Sequence, residues 1–331
     1  VSDEDRGLQR RDLFVPSDPG ITLHVREIRI PGASDRRPIL LVHGGGPGGI
    51  ASFDLPVPGY SLAADLARVS SVVYIMDVRG WGGSTRPPAL EAPPGDNRPA
   101  VRSDEAARDI AAVVAAMRVA TGHTQVALLG WATGGHWSAL YAARHPDAVS
   151  HLVMLNSLYG VDAPWGMRAA FEVDGHPGEF DPGAGAYILR NGTSLLARWD
   201  RSIPTDDKSE WRDPRVAAAY VSEALASDPQ SEAHDPPAMR IPIGFQFDSY
   251  EMSRGVRFWS AEEIRAATLV VRGTRDFWSR PADLDTIARE LVNAPRVRTV
   301  TIPDGTHYLH NDRPERGRRA FLDALLDFLS T

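Results

Sequence analysis

Val126-Ala-Leu-Leu-Gly-Trp-Ala-Thr-Gly-Gly-His-Trp-Ser-Ala-Leu140 decides how the rest of the chain is read. An apolar run ends in Gly130, a Gly-x-x-x-Gly turn follows, and a helix-like stretch leaves it. The pattern predicts a strand, a sharp elbow and a helix. In the elbow written Gly-x-Ser-x-Gly, the central serine is a nucleophile held in a strained turn at the top of a sheet. Gly130 and Gly134 occupy the glycine positions, and the central residue is Ala132. The pattern is complete except for the atom that does the chemistry.

Working outward, further apolar runs end in chemically distinctive loops. Leu13–Val15 and Ile21–Ile30 alternate apolar and polar around Pro19-Gly20, the signature of a hairpin with one wet face; residues 1–10 read as frayed. Ile39–Val42 is a continuous apolar run, typical of a strand buried on both faces. It leads into His43-Gly-Gly-Gly-Pro-Gly-Gly49, whose glycines leave backbone N–H groups free to face a ligand. Tyr60–Val69 reads as a helix. Val72–Met76 is a second buried run, followed by Asp77-Val-Arg-Gly-Trp-Gly-Gly-Ser84. Ser103 is placed to cap a helix that Gly122 closes. Leu152–Leu155 is the next strand.

The pattern changes between 161 and 262, where no buried β-run is evident over about a hundred residues, too long for a plain loop. Asp213 and Pro214 start one clear helix there. Trp165, Phe171, Trp199, Trp211, Phe245, Phe247, Tyr250 and Trp259 are spread through the segment. It reads as an inserted helical lid whose aromatics mostly form its own small core. Alternation then resumes: Thr268–Val271 ends in Gly273-Thr-Arg-Asp276, and Val297–Ile302 ends in Asp304-Gly-Thr-His307. A βα series flanking an insertion predicts a mostly parallel sheet with helices on both faces. The expected division is a core of 1–160 and 263–331 with a lid of 161–262.

Strand ends thus carry Ala132, Asp276 and His307 in that order, which is the nucleophile, acid, histidine order of α/β-hydrolases. The chain resembles that superfamily over almost its whole length. His43-Gly-Gly-Gly-Pro-Gly, Asp77-x-Arg-Gly-x-Gly-x-Ser84 and His307-Tyr-Leu-His-Asn-Asp-Arg-Pro314 look like the lidded group that includes proline iminopeptidases, esterases and lactonases. The resemblance implies that His307 is the general base and that Asp276 orients it. It implies an oxyanion hole from the N–H groups of Thr133 and Gly45. His310 is a rival base whose position suits a lid-facing or packing role. His43 and His136 suit structural roles, and neither Thr133 nor Ser138 is placed to replace the missing hydroxyl.

Ala132 admits two histories: an enzyme of a bulky apolar ester or lactone whose serine has been replaced, or a protein that only binds its ligand. Retention of Asp276, His307 and both elbow glycines favours the first. An aminopeptidase of the proline iminopeptidase kind would need an acidic anchor for a free amine, for which Glu172, Glu179 and Glu210 are candidates.

Composition bounds the alternatives. The 331 residues are 43% hydrophobic and 24% charged, ordinary for a globular protein. A net charge of -7 argues against nucleic acid and anionic membrane as partners. Positive charge is almost all arginine, Lys208 being the only lysine. The absence of cysteine excludes disulfides, thiolate metal sites and cysteine catalysis. The chemistry calls for no cofactor and no metal. No apolar run approaches the length of a membrane span and no leader is evident, so a cytoplasmic protein is expected, although a chain beginning at Val1 leaves room for a processed leader. The sequence does not indicate an oligomeric state.

Overall fold

Each buried apolar run becomes a strand, and the glycine-bearing segments after them collect at one edge of a single sheet. The structure, a computed structural model, describes residues 7–32, 36–181, 183 and 185–330. Most of the frayed segment expected at the start lies outside the described residues, but Gln9 and Arg10 already belong to the first strand.

The strands are β1 (Gln9–Pro16), β2 (Thr22–Arg29), β3 (Ile39–Val42), β4 (Val73–Met76), β5 (Val126–Trp131), β6 (Val149–Leu155), β7 (Tyr187–Asn191), β8 (Ala238–Pro242), β9 (Ala267–Gly273) and β10 (Val297–Ile302). The helices are α1 (Gly49–Phe53), α2 (Leu62–Leu66), α3 (Ser103–Thr121), α4 (Thr133–Arg144), α5 (Gly192–Asp200), α6 (Pro214–Ala226), α7 (Gly244–Ser253), α8 (Pro281–Glu290) and α9 (Arg318–Leu329).

Eight strands form one sheet in the order β1-β2-β4-β3-β5-β6-β9-β10. β1 and β2 enter antiparallel, and from β4 onward every pairing is parallel. The chain leaves β3 for β4 on one side and later returns to β5 on the other. β3 and β5 therefore flank a topological switch point, the crevice where open α/β sheets bind ligands. The loop after β3 is the glycine run, and the turn after β5 is the elbow. The central strands β3, β4 and β5 are buried throughout, as expected for strands covered on both faces.

Several local expectations shift. Gly49–Phe53 forms a short helix that the glycine-rich sequence concealed. The helix expected over Tyr60–Val69 is limited to Leu62–Leu66, with the Ser61 hydroxyl accepting from Ala64 N–H. The N-cap of α3 is Arg102, not Ser103. The Ser103 hydroxyl is instead engaged at 2.7 Å by Asp248 and at 2.9 Å by His136.

Between β6 and β9 the chain leaves the sheet and forms α5, α6 and α7, but also an antiparallel pair of strands, β7 with β8. That segment is therefore not purely helical. β8 is buried throughout although Arg240 lies at its centre; the charge is neutralised by Asp228 at 2.7 Å and Glu91 at 2.9 Å. Three of the segment's indoles donate N–H bonds into the loops that follow β9 and β10: Trp165 to the Trp278 carbonyl, Trp199 to Asp312 and Trp211 to the Asp304 carbonyl. Seven of the eight aromatics noted in this segment are buried, Phe247 being the exception. Among the described residues no helix is long and apolar enough to cross a membrane.

Candidate active site

Ala132 sits between β5 and α4 with φ 53° and ψ -118°. A residue with a Cβ pays about 1–3 kcal/mol for such a conformation, which persists only where its surroundings impose it. Here they do. Ala132 N–H donates to the Leu155 carbonyl at 2.8 Å, and the Ala132 carbonyl accepts from Gly135 N–H at 3.1 Å and from the Ser157 hydroxyl. The flanking glycines are steric requirements. A Cβ on Gly130 would overlap the Gly134 carbonyl, and a Cβ on Gly134 would overlap the carbonyls of Val42 and His43.

The glycine run is pinned from both sides of Gly45. Val78 N–H donates to His43 Nε2 at 3.1 Å, which leaves the proton on Nδ1 to donate to the Gly44 carbonyl at 2.7 Å. Trp81 Nε1–H donates to the Gly46 carbonyl at 2.8 Å. Burial pushes the His43 pKa down and keeps the ring neutral. Asp77 serves the same framework, accepting from Gly49 N–H at 2.6 Å, Gly83 N–H at 3.1 Å and His24 Nδ1 at 2.7 Å. The Asp77-x-Arg-Gly motif is thus a clamp between loops. Thr133 N–H opens α4 and has no intrahelical acceptor. Among the described residues, neither it nor Gly45 N–H donates to another group of the protein.

Asp276 and His307, from the loops after β9 and β10, meet at 2.6 Å between Oδ1 and Nδ1. The carboxylate is otherwise saturated: Trp278 N–H donates to Oδ1 at 2.9 Å, and Ser279 N–H donates to Oδ2 at 2.8 Å together with the Ser279 hydroxyl. Its orientation is fixed, so it fixes the imidazole, directing Nε2 away from Asp276. The His307 backbone is held as firmly. Its carbonyl accepts from Trp131 Nε1–H at 2.9 Å and from Asn156 Nδ2–H at 3.0 Å. Asn156, itself at φ 52°, also donates to the Thr306 carbonyl at 3.1 Å and accepts from Gly273 N–H at 2.8 Å. It ties the ends of β6, β9 and β10 together. Neither Asn156 nor Trp81 was singled out from the sequence.

Gly44, Gly45, Gly46, Ala132, Thr133 and His307 line one cavity of about 20 Å³, closed by Trp131, Phe245, Phe277, Trp278, Tyr308 and Arg198. That volume accommodates about one water molecule. The Phe245 ring lies directly over Gly45, where a Cβ would overlap it. Two larger clefts, about 450 and 420 Å³, lie elsewhere and contain none of these residues; the chemistry, not the volume, singles out the small one. Four aromatic rings surround His307, with centroids at 4.8 Å (Phe277), 5.3 Å (Trp131), 5.4 Å (Tyr308) and 6.2 Å (Trp278). The amino terminus of the 12-residue α4 adds a positive dipole end beside Ala132.

The other residues expected near the site fall outside it. His310 is fully buried, stacked edge-on to Trp131 at 4.6 Å and near Phe53 at 5.7 Å, and it faces packing, not the cavity. Burial and the neighbouring Arg318 push its pKa down to about 3. His136 accepts from Trp259 Nε1–H at 3.1 Å and so donates through Nε2 to Ser103, a structural link. Glu172 is engaged by Gly178 N–H at 2.8 Å and by the Tyr250 hydroxyl at 3.2 Å. Glu179 is exposed beside His176 and Glu210 lies beside Arg316. None of the three lines the cavity. Among the described residues no group of His, Asp or Glu is arranged to hold a metal ion.

Comparison with known proteins places this geometry in context. A family model described as alpha/beta hydrolase fold matches residues 37–314. The (lyso)-N-acylphosphatidylethanolamine lipase of Homo sapiens is 29% identical over 136 residues, 41% of this chain, and the match spans only 32% of the lipase. Epoxide hydrolase 3 of Xenopus tropicalis is 23% identical over 94% of this chain and 77% of its own length. Among solved structures, the enol-lactonase from Burkholderia xenovorans superposes with a TM-score of 0.61 at 20% identity, covering 96% of this chain and 100% of that one. A thioesterase domain from the curacin biosynthetic pathway gives 0.62 at 14% identity, covering 98% and 100%. At these identities the structural likeness concerns the fold alone.

Proposed function

The chain belongs to the α/β-hydrolase fold family, and from that premise we propose that its site is built for acyl transfer on a small carboxylic ester or lactone, with Ala132 standing where a nucleophilic serine would act. One observation carries the reading. Ala132 is kept in a strained backbone conformation, at φ 53°, in a cavity that it shares with His307, whose ring Asp276 orients. A site freed of chemistry has no need of that strain.

With a hydroxyl at position 132, the steps follow from the geometry. His307 Nε2 takes the hydroxyl proton as the oxygen bonds to the acyl carbon. The carbonyl oxygen gains charge and is stabilised by Thr133 N–H, Gly45 N–H and the amino end of α4. The imidazolium, stabilised by Asp276, returns its proton to the leaving oxygen as the C–O bond breaks. Water, deprotonated by the same imidazole, then releases the acid. Side chains and backbone amides suffice for every step. Ala132 supplies no oxygen, so the acyl bond to the protein cannot form, and turnover falls by about 10⁶ relative to the serine form. Substrate binding draws on the pocket walls more than on that oxygen. The chain as it stands is therefore an ester- or lactone-binding form of the site.

The segment 161–262 acts as the lid in this reading, because it contributes Phe245 and Arg198 to the wall of the narrow cavity that contains Ala132 and His307. The Phe245 ring lies over Gly45, so a substrate carbonyl reaching the Gly45 N–H requires that ring to move. The hydrolytic activities named for the lipase and the epoxide hydrolase support hydrolysis as the reaction class. Among the described residues no glutamate lines the cavity, which argues against the aminopeptidase alternative.

A second reading, a protein that only binds its ligand, is favoured by the Ala132 methyl itself. The two separate in one experiment, an Ala132→Ser protein screened against chromogenic esters, lactones, thioesters and aminoacyl substrates. The hydrolase reading expects turnover of an ester or lactone that a further His307→Ala change abolishes. No turnover in any class, with ligand affinity independent of His307, favours pure binding.

A further inference from the structure

Arg198, on α5, contributes to the wall of the cavity that contains Ala132 and His307. Its guanidinium has neither a hydrogen bond nor an ion pair among the described residues. The arginines around it are provided for: Arg212 pairs with Asp200 at 2.9 Å, Arg215 pairs with Asp213 at 2.8 Å, and Arg201 lies over the Phe277 ring at 5.5 Å. Arg190, near the end of β7, has a buried Nε with no partner among the described residues. Burial, and after it the charge of Arg198, push the Arg190 pKa down to about 10, so the two cations are close enough to repel.

Two tyrosines lie near Arg198. The Tyr220 side chain is fully buried, and its hydroxyl lies next to that of Tyr308. It lies beside the glycine run, 3.8 Å from where a Cβ of Gly46 would stand. Its ring meets Tyr308, itself part of the cavity wall, at 5.7 Å and 90°. A guanidinium left without an ion pair on a cavity wall is stabilised by a bound anion. A guanidinium with a second one nearby suits an anionic oxygen group.

We propose that the ligand of this site carries an anionic oxygen group, carboxylate or phosphonate in chemistry, at the end remote from its ester or lactone carbonyl, and that Arg198 binds it, with Arg190 adding positive charge nearby. The proposal rests on the acyl-site reading for the position of the carbonyl. It replaces a purely apolar ester with an acid-bearing one.

Isothermal titration of the protein with Ala132, which cannot turn the probes over, tests it. The probes are phenyl hydrogen glutarate, phenyl 4-phosphonobutanoate and the neutral phenyl valerate, applied to the native chain and to Arg198→Gln, Arg198→Lys and Arg190→Gln, each checked by circular dichroism. At least one anionic probe should bind about 10-fold or more tighter than phenyl valerate, the gain of a charge-assisted hydrogen bond pair; which one does identifies the group. Arg198→Gln should erase the preference, Arg198→Lys should retain part of it, Arg190→Gln should weaken it, and in each variant the anionic probes should lose more affinity than phenyl valerate. Equal affinities in the native chain, or a preference that survives Arg198→Gln, overturn the proposal. So does the absence of binding by every probe to both the native chain and Phe245→Ala. An Ala132→Ser protein inert toward all esters, with an Arg198-dependent preference still present, sinks the hydrolase reading but leaves the anion site. Hydrolysis of neutral esters without any anionic preference does the reverse.

Discussion

Replacing Asn156 by alanine should cost far more than its size suggests. The side chain makes three hydrogen bonds, to the carbonyls of Thr306 at 3.1 Å and His307 at 3.0 Å and from Gly273 N–H at 2.8 Å. The His307 carbonyl keeps its bond from Trp131. Gly273 N–H and the Thr306 carbonyl lose theirs and are left buried without a partner, at about 1.5 kcal/mol each. Alanine also accepts φ 52° less readily than asparagine, which adds about 1 kcal/mol. The expected loss is about 4 kcal/mol, read as the fall in unfolding free energy in urea. Asn156→Gly removes the same bonds but accepts the positive φ, and should recover about 1 kcal/mol of that loss. Because Asn156 carries the backbone of His307, the downfield proton resonance of His307 Nδ1–H should also shift or broaden in both variants. A loss below about 1 kcal/mol with that resonance unmoved would refute the positioning role.

Phe245→Ala should enlarge the cavity beside Gly45 and lower stability by about 3–5 kcal/mol, the usual cost of truncating a buried phenylalanine; a crystal structure or xenon binding would show the added space, and an unchanged cavity would mean that the lid collapses to refill it. Stability should also fall as pH drops from 6.5 toward 5, because burial pushes the pKa values of His136 and His310 down to about 4 and about 3 from 6.5. In that window the unfolded chain binds protons that the folded chain refuses, so acid favours unfolding. His310→Leu should flatten the melting temperature between pH 7 and pH 5, and an unaltered slope would contradict the assignment.

What could be foreseen from the sequence follows the range of the physics involved. The elbow is legible because its constraints are local: Gly130 and Gly134 are needed where strand, turn and helix backbones nearly touch, within five residues. The central strands are legible because burial on both faces leaves an unbroken apolar run. β8 was hidden because Arg240 interrupts such a run, and only Asp228 and Glu91, brought in by folding, make that charge tolerable there. The α3 cap was misplaced by one residue because the Ser103 hydroxyl is claimed by His136 and Asp248, 33 and 145 residues away. Asn156 carries no local signal at all; its partners lie 117, 150 and 151 residues downstream. Arg198 differs from its neighbouring arginines only in what does not pair with it, a property that exists after folding and not before.

Position 132 can be examined without knowing the substrate, by treating the Ala132→Ser protein with a fluorophosphonate and weighing it intact. An activated hydroxyl attacks phosphorus, fluoride leaves, and His307 takes the proton, so one adduct should form and map to position 132. The native chain with Ala132, and the Ala132→Ser/His307→Ala protein, should gain none on the same timescale. If Ala132→Ser stays unlabelled both alone and with Phe245→Ala opening the cavity, the site does not activate a hydroxyl at the elbow, and the chain is a binding protein.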